Sequence, residues 1–291
     1  MIIKQFAKTY PSIIALKSTV YLILFSLFLI QKSFACNVVL AVSNNFPPYH
    51  MKTPDGSWSG VSVDLAKLLV KNVGCELSII NVPWLRSISL LRQGKVHLMT
   101  NFTLNDERAQ FAQFLGPHHI EKPAFIARLS LSHGVYNLSR INKFKGVVAV
   151  TRGNSFGQEF DQYVLNDPKM SNKLILIRNN VDRYSLLLNG RIDGMFDDEL
   201  SAQYLLKGTN KENELFDIRF TLEGNPVYFG VSPIGVSPPL REKLNQAWAK
   251  LLKELAVVKL YEKYNLSFDE REFNSFKQKQ LTTESPIHPI K

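Results

Sequence analysis

The stretch Val38-Val39-Leu40-Ala41-Val42-Ser43-Asn44-Asn45-Phe46 returns in altered form as Val147-Val148-Ala149-Val150-Thr151-Arg152-Gly153-Asn154-Ser155-Phe156. Each copy is a short apolar run followed by a polar turn, which reads as a strand leading into a loop and a helix. A second pair of stretches follows, Leu90-Leu91-Arg92-Gln93-Gly94-Lys95-Val96-His97-Leu98-Met99 and Leu187-Leu188-Asn189-Gly190-Arg191-Ile192-Asp193-Gly194-Met195. In both, a helix stops at a glycine suited to a C-cap, Gly94 or Gly190, and a strand begins. The offsets differ, 109 for the first pair and 96 to 97 for the second, so the likeness is architectural and not a tandem repeat.

Between these stretches, Val61 to Val73 carries apolar residues at 61, 65, 68, 69 and 73, and Gly74 follows. That spacing predicts a helix. Strand, helix, strand, helix, strand is the pattern of a mainly parallel sheet covered on both faces. One such unit in each half predicts a two-lobed α/β protein. Near the end, Leu240, Leu244, Ala247, Leu251 and Leu255 line one face of a long helix that begins after Pro238-Pro239. Residues 270–291 are polar and read as a disordered tail.

The first 35 residues read as an export signal. Lys4, Lys8 and Lys17 precede the apolar run Val20 to Ile30, and Ser33-Phe34-Ala35 supplies small residues at the two positions that signal peptidase reads. A retained membrane anchor is the alternative, but a run of eleven falls short of the roughly 20 residues that span a bilayer. Cys36 follows the expected cut. A lipid-anchoring signal would want a Leu-like residue at Ser33, so secretion to the periplasm is favoured over lipidation. Removing residues 1–35 leaves 31 basic against 25 acidic residues with no basic stripe, which excludes a nucleic-acid partner.

The remaining cysteines, Cys36 and Cys75, each stand just before an apolar strand-like run. If those strands are parallel neighbours, their starts lie about 4.8 Å apart. An oxidising compartment then favours a disulfide, contributing about 4 kcal/mol on the chain-entropy view. Free thiols, or an acylated Cys36, are the alternatives.

In open α/β sheets, ligands sit outside the carboxyl ends of the strands. Those ends present Phe46, Trp84, Asn101, Thr103, Arg108, Asn154, Ser155 and the acidic run Asp197-Asp198-Glu199. A cation, hydroxyls, a helix start after Gly153 and an acid are complementary to a zwitterion. The knot of four acids in RIDGMFDDEL, residues 191–200, is thereby explained if one acid faces the ligand and the others are solvated or cap the following helix. Arg108 could instead form a surface ion pair with Asp106 or Glu107, and Trp84 could serve packing.

The chain resembles the polar-amino-acid branch of the bacterial periplasmic solute-binding proteins, extracellular family 3, which serve ABC importers. The resemblance is carried by Phe46-Pro47-Pro48-Tyr49, Asp55-Gly56, Gly60 to Leu65, Gly94-Lys95-Val96, Thr103 with Glu107-Arg108, Gly190 to Asp193 with Asp198, and Tyr228 to Ser232. It extends to Tyr261-Glu262-Lys263-Tyr264 and covers about 38 to 266. It implies two lobes, 36–120 plus 228–269 and 121–227, joined by a two-segment hinge near 119–125 and 222–228. It also implies Arg108 on a ligand's α-carboxylate with Thr103 beside it, Ser155 donating from the second lobe, Asp198 on the α-ammonium and Phe46 stacked on the side chain. Asp197 is the rival to Asp198, and Asn101 offers its carbonyl or side chain. His97 departs from the Asp usual after Gly-Lys-Val, and Trp84-Leu85-Arg86 resembles a Trp-x-Arg variant.

The expected activity is binding of an amino acid or similar small carboxylate by a monomer that works with a membrane permease, without cofactor or catalysis. Two alternatives stand beside it. One is a periplasmic dehydratase-like enzyme on a small cyclic acid, with Glu121 or Glu199 as general acid or base. The other is a sensing module for a membrane partner. A metal site at His118, His119 and Glu121 is disfavoured because adjacent residues on an extended segment point to opposite sides.

Overall fold

The structure, a computed structural model, describes residues 36–43, 45–154, 156, 158–177, 183–207, 216–267, 271 and 274. The expected export signal lies outside the described residues, as does all of the expected tail except Arg271 and Asn274. The first half runs β1 (Asn37–Val42), a small hairpin of β2 (Met51–Lys52) and β3 (Trp58–Ser59), α1 (Val61–Asn72), β4 (Glu76–Asn81) and α2 (Trp84–Arg92). It continues through β5 (Leu98–Thr103), α3 (Asp106–Ala109) and β6 (Gln113–Glu121). The second half holds β7 (Pro123–Arg128), β8 (Val148–Thr151), α4 (Gln158–Phe160), α5 (Pro168–Ser171), β9 (Leu174–Ile177) and α6 (Arg183–Leu188). Then follow β10 (Gly194–Asp198), α7 (Glu199–Lys207), β11 (Phe216–Thr221), β12 (Asn225–Val231), α8 (Pro238–Lys253) and α9 (Ala256–Lys263).

Two five-stranded sheets result, ordered β4-β1-β5-β12-β6 and β11-β7-β10-β8-β9. Each has a parallel half, as the sequence pattern predicts, and an antiparallel half. The mixture follows from how the chain travels. β1, β5, β8 and β10 run toward the junction of the two sheets. The chain crosses that junction at Lys122, between β6 and β7, and again between Thr221 and Asn225. β7 and β12 therefore start at the junction and must run away from it.

Period-two alternation builds the cores. In β10, Met195 points into an aliphatic layer with Ile126 and Leu187, while Phe196 points into an aromatic layer with Phe125, Phe144 and Phe160. Gly194 is required there, because a Cβ would stand 2.9 Å from the Phe125 ring. In the long C-terminal helix, Leu244, Ala247 and Leu251 are buried as expected. Leu255 is not part of that face. It is exposed and sits at φ 55, in the break between α8 and α9.

The two sequence echoes share one physical cause. The Val39 N–H donates to Nδ1 of His97 at 3.0 Å, and the Val147 N–H donates to Oδ2 of Asp193 at 2.9 Å. The reverse bonds, His97 N–H to Val39 O and Asp193 N–H to Val147 O, are both 2.9 Å. The residue that follows Gly-Lys-Val or Gly-Arg-Ile thus tethers a neighbouring parallel strand, β1 in the first sheet and the start of β8 in the second. An imidazole replaces a carboxylate in the first half and performs the same task. The cysteines are disulfide-bonded, and the parallel register Asn37 with Glu76 shows why the expected pairing works.

Removing either tether leaves a strand N–H without its acceptor. His97→Ala and Asp193→Ala are each expected to lose about 1–3 kcal/mol in urea denaturation. Burial holds the His97 imidazole below its usual pKa. Its contribution is therefore present above about pH 6.5 and lost as pH falls through the depressed value. The wild-type advantage over His97→Ala should shrink in acid, and a pH-independent difference would contradict the tether.

Candidate functional site

The strand ends that converge on the junction enclose a cleft of about 670 Å³ of non-atom space, partly open to solvent. Phe46, Trp84, Asn101, Thr103 and Arg108 reach it from the first sheet, and Asn154, Phe156, Arg183, Asp197 and Asp198 from the second. Glu121, Pro123 and Asn225 line it from the crossing strands.

Arg108 sits on α3, whose N-cap Asn105 accepts from the Arg108 N–H at 2.9 Å. The side chain is 5% exposed. Its Nη1 donates to Thr103 O at 2.8 Å and its Nη2 to Gly153 O, across the cleft, at 3.2 Å. The guanidinium lies 4.8 Å from the Phe102 ring centroid and 5.4 Å from that of Trp84, within cation–π range. Burial lowers its pKa to about 10, so it stays charged at neutral pH. The ion pair expected as an alternative for Arg108 is absent: Glu107 contacts Arg92 instead, at 3.3 Å. Trp84 packs against Phe102, as one of the two expectations had it, and donates from Nε1 to Gly153 O at 3.3 Å.

The four acids of the knot have separate tasks. Asp193 tethers Val147, and Glu199 accepts from Gln203 along its own helix. Asp197 and Asp198 are both buried in the cleft wall, where one had been expected. Asp197 Oδ1 accepts from Arg183 Nη2 at 2.9 Å, an ion pair withdrawn from water on both sides. Asp198 Oδ2 accepts from the Tyr49 hydroxyl at 2.8 Å and from Ser201 N–H at 3.0 Å, the latter capping α7. Its Oδ1 accepts from Lys122 N–H at 3.1 Å. Burial raises the pKa of Asp197, and burial together with Glu121 raises that of Asp198 well above the usual range.

Beside these acids lies a polar cluster at the crossing. Glu121 Oε1 accepts from Asn101 Nδ2 at 2.6 Å and is 3.7 Å from His119 Nε2. Asn101 has φ 52, a left-handed conformation that non-glycine residues seldom adopt and that collects at functional sites. His119 stacks on Tyr49 with ring centroids 4.6 Å apart. Contrary to the sequence expectation, His118 and His119 do not point apart, since their Nδ1 atoms are 2.7 Å from each other. The reason is a bulge. His119 pairs with Val227 and Leu115 with Phe229, so β6 uses four residues where β12 uses two, and strict alternation fails. Burial lowers the His119 pKa to about 3 and that of His118 well below its usual value. Neither ring carries charge at neutral pH.

Of the residues singled out in the sequence, Arg108, Asp198, Thr103, Asn154, Phe46, Asn101 and Trp84 line one cleft. Ser155 lies outside the described residues. Arg183 was not anticipated. Its segment, Val181-Asp182-Arg183-Tyr184, carries no motif, and only the position one helix before the acidic strand hints at its partner. Glu121 was considered as a catalytic or metal group and not as part of a binding surface.

The family of bacterial extracellular solute-binding proteins, family 3, matches residues 38–267, and this chain belongs to it. Among curated relatives, the L-cystine-binding protein TcyJ of Escherichia coli K12 is 23% identical over 231 residues, covering 78% of this chain and 82% of its own. The histidine-binding periplasmic protein of the same strain is 25% identical over 238 residues, covering 78% and 87%. A cyclohexadienyl dehydratase of Pseudomonas aeruginosa is 21% identical over 165 residues, covering 56% and 60%. Among solved structures, an ancestral arginine-binding protein bound to arginine superposes with a TM-score of 0.67 at 23% identity, covering 78% of this chain and 97% of its own. The chain therefore has the two-lobed periplasmic-binding-protein fold. Among the described residues, no helix is long and apolar enough to cross a membrane.

Burial pushes the Glu121 pKa up to about 7, with Asp197 adding to the rise and the Asn101 hydrogen bond opposing it. The folded state therefore holds this proton over a range where the unfolded chain has released it. The resulting stability is full below about pH 4.5 and lost as pH rises through 7. Without ligand, Glu121→Gln should gain on the wild type between pH 5 and pH 8 by on the order of 2 kcal/mol. Parallel stability curves across that range would contradict the assignment.

Proposed function

We propose that the protein binds an amino acid or a similar small carboxylate in this cleft. As a periplasmic monomer it would deliver the ligand to the membrane permease of an ABC importer. The observation that carries the reading is a buried guanidinium, Arg108, sharing a cleft with the carboxyls of Glu121, Asp197 and Asp198. Among the described residues Arg108 has no carboxylate partner, whereas Asp197 is paired with the second buried guanidinium, Arg183. Arg108 has two nitrogens on backbone carbonyls, which fix the plane of the fork, and its remaining N–H groups suit a carboxylate bidentately. One carboxyl of this group supplies the opposite pole of a zwitterion, and Phe46 and Phe156 supply apolar walls. Thr103, Asn154 and Ser155 are assigned as hydrogen-bonding neighbours of the carboxylate. The cystine-, histidine- and arginine-binding relatives support the ligand class.

Closure gives the permease something to recognise. Tyr49 to Asp198, Trp84 to Gly153 and Arg108 to Gly153 all bridge the cleft. These bonds exist only when the sheets approach, and each contributes on the order of 1 kcal/mol. A ligand that touches both walls adds to them and shifts the population toward the closed form.

A second reading has one observation in its favour. Glu121, with a pKa near 7 in a shielded cleft, suits a general acid, and one relative is a dehydratase. Turnover of cyclohexadienyl acids in a spectrophotometric assay would favour it.

The binding reading is tested by thermal-shift screening against the twenty amino acids and small carboxylates. A true ligand at a hundred times its Kd stabilises the fold by about 2.7 kcal/mol. Arg108→Ala should weaken binding by about 100-fold or more. Arg108→Lys, which keeps the charge without the fork, should fall between. Equal binding by all three proteins would refute the reading.

A further inference from the structure

We infer that Glu121, with Asn101 beside it, receives the ligand's α-ammonium, and that Asp198 is instead a latch joining the two sheets. This rests on the binding reading above and deepens it. The first argument is acceptor capacity. Asp198 already takes three protein donors: the Tyr49 hydroxyl from the first sheet, Lys122 N–H from the crossing and Ser201 N–H from its own helix. Those bonds hold it in place whenever the sheets are together, and they spend most of its lone pairs. Asp197 gives Oδ1 to Arg183, and although its Oδ2 has no hydrogen-bond partner among the described residues, the side chain is 3% exposed against 21% for Glu121. Glu121 receives Asn101 Nδ2 on Oε1 and retains 21% side-chain exposure toward the cleft it lines.

The second argument is an orphaned acceptor. Asn101 is 8% exposed and lines the cleft, yet its Oδ1 meets no donor among the described residues. A buried carbonyl left in this state is costly, and a donor brought by a ligand would satisfy it. Glu121 and Asn101 thus offer two acceptors side by side to a group with several N–H bonds, which describes an ammonium.

The third argument is spacing. An α-amino acid carries its ammonium and carboxylate on one carbon, so their acceptor and donor sites must be neighbours. Arg108 is held by the carbonyl of Thr103, two residues along β5 from Asn101, a distance on the order of 7 Å. The carboxylate of a guest on Arg108 would leave its ammonium within reach of the Glu121–Asn101 pair. The electrostatic coupling of Arg108 with Glu121 agrees with that proximity.

The test compares two probes by calorimetric titration: an L-amino acid that binds the wild type, and the same molecule with hydrogen in place of the ammonium. The wild type should prefer the amino acid by at least tenfold. Glu121→Gln should reduce that preference to about threefold or less. Asp198→Asn and the milder Tyr49→Phe should keep the preference while enlarging the unliganded radius of gyration in small-angle scattering. The inference is overturned if Glu121→Gln keeps the preference and Asp198→Asn abolishes it. If no amino acid binds the wild type, the binding reading itself has failed, and this assignment falls with it.

Discussion

Charged side chains can be drawn out of water only where each finds a partner, and the junction between the two sheets is organised by that constraint. Strands that run toward a common crevice deliver their terminal residues into it, along with the helix starts that follow. Asp197 and Asp198 at the end of β10 and Arg108 on the helix after β5 are therefore buried by topology and not by hydrophobicity. Partners then follow from the surroundings. Two backbone carbonyls and two aromatic faces serve Arg108, Arg183 serves Asp197, and a tyrosine hydroxyl with two backbone N–H groups serves Asp198. Among the described residues of the cleft, Asn101 Oδ1, Asp197 Oδ2 and Arg183 Nε remain without partners, and of these Asn101 stands beside the more exposed Glu121 at the crossing. Buried acceptors without donors, facing a guanidinium with N–H groups to spare, are the chemical reason to expect a dipolar guest with a cationic end.

The same topology suits the proposed closure. The chain passes between sheets at Lys122 and again between Thr221 and Asn225, and Leu222 N–H donates to Pro123 O at 2.7 Å, binding the two passages together. Two short, linked crossings would permit the bending that the proposed binding mode needs, with each sheet and its own buried core moving as a unit. The bridging bonds across the cleft are few and individually weak. Under the proposed function, ligand contacts of similar size would decide the balance between open and closed forms.

Much of this was legible in the sequence because it arises from local repetition. The echo of Val38–Phe46 in Val147–Phe156 reports two sheets built alike, and the echo around Gly94 and Gly190 reports the shared tether, even though His97 and Asp193 differ chemically. Cys36 and Cys75 were readable because their strands are parallel neighbours in register. What could not be read depends on irregularity. The bulge opposite Val227–Phe229 turns His118 and His119 toward each other, and no alternation rule foresees it. The left-handed Asn101 within β5, meeting Glu121 from β6, is likewise a product of tertiary pairing. Arg183 was hidden because a lone arginine before a short helix looks like any solvated cation.

The central claim is that a cationic group from the guest comes to rest beside a carboxyl that is partly protonated at neutral pH. The most direct measurement is the proton balance of binding, obtained by calorimetric titration of an amino acid ligand at pH 7 in buffers of different ionisation enthalpy. With the Glu121 pKa near 7, an arriving ammonium should expel about half a proton per molecule bound. Binding with no proton exchange, or with uptake, would contradict the account.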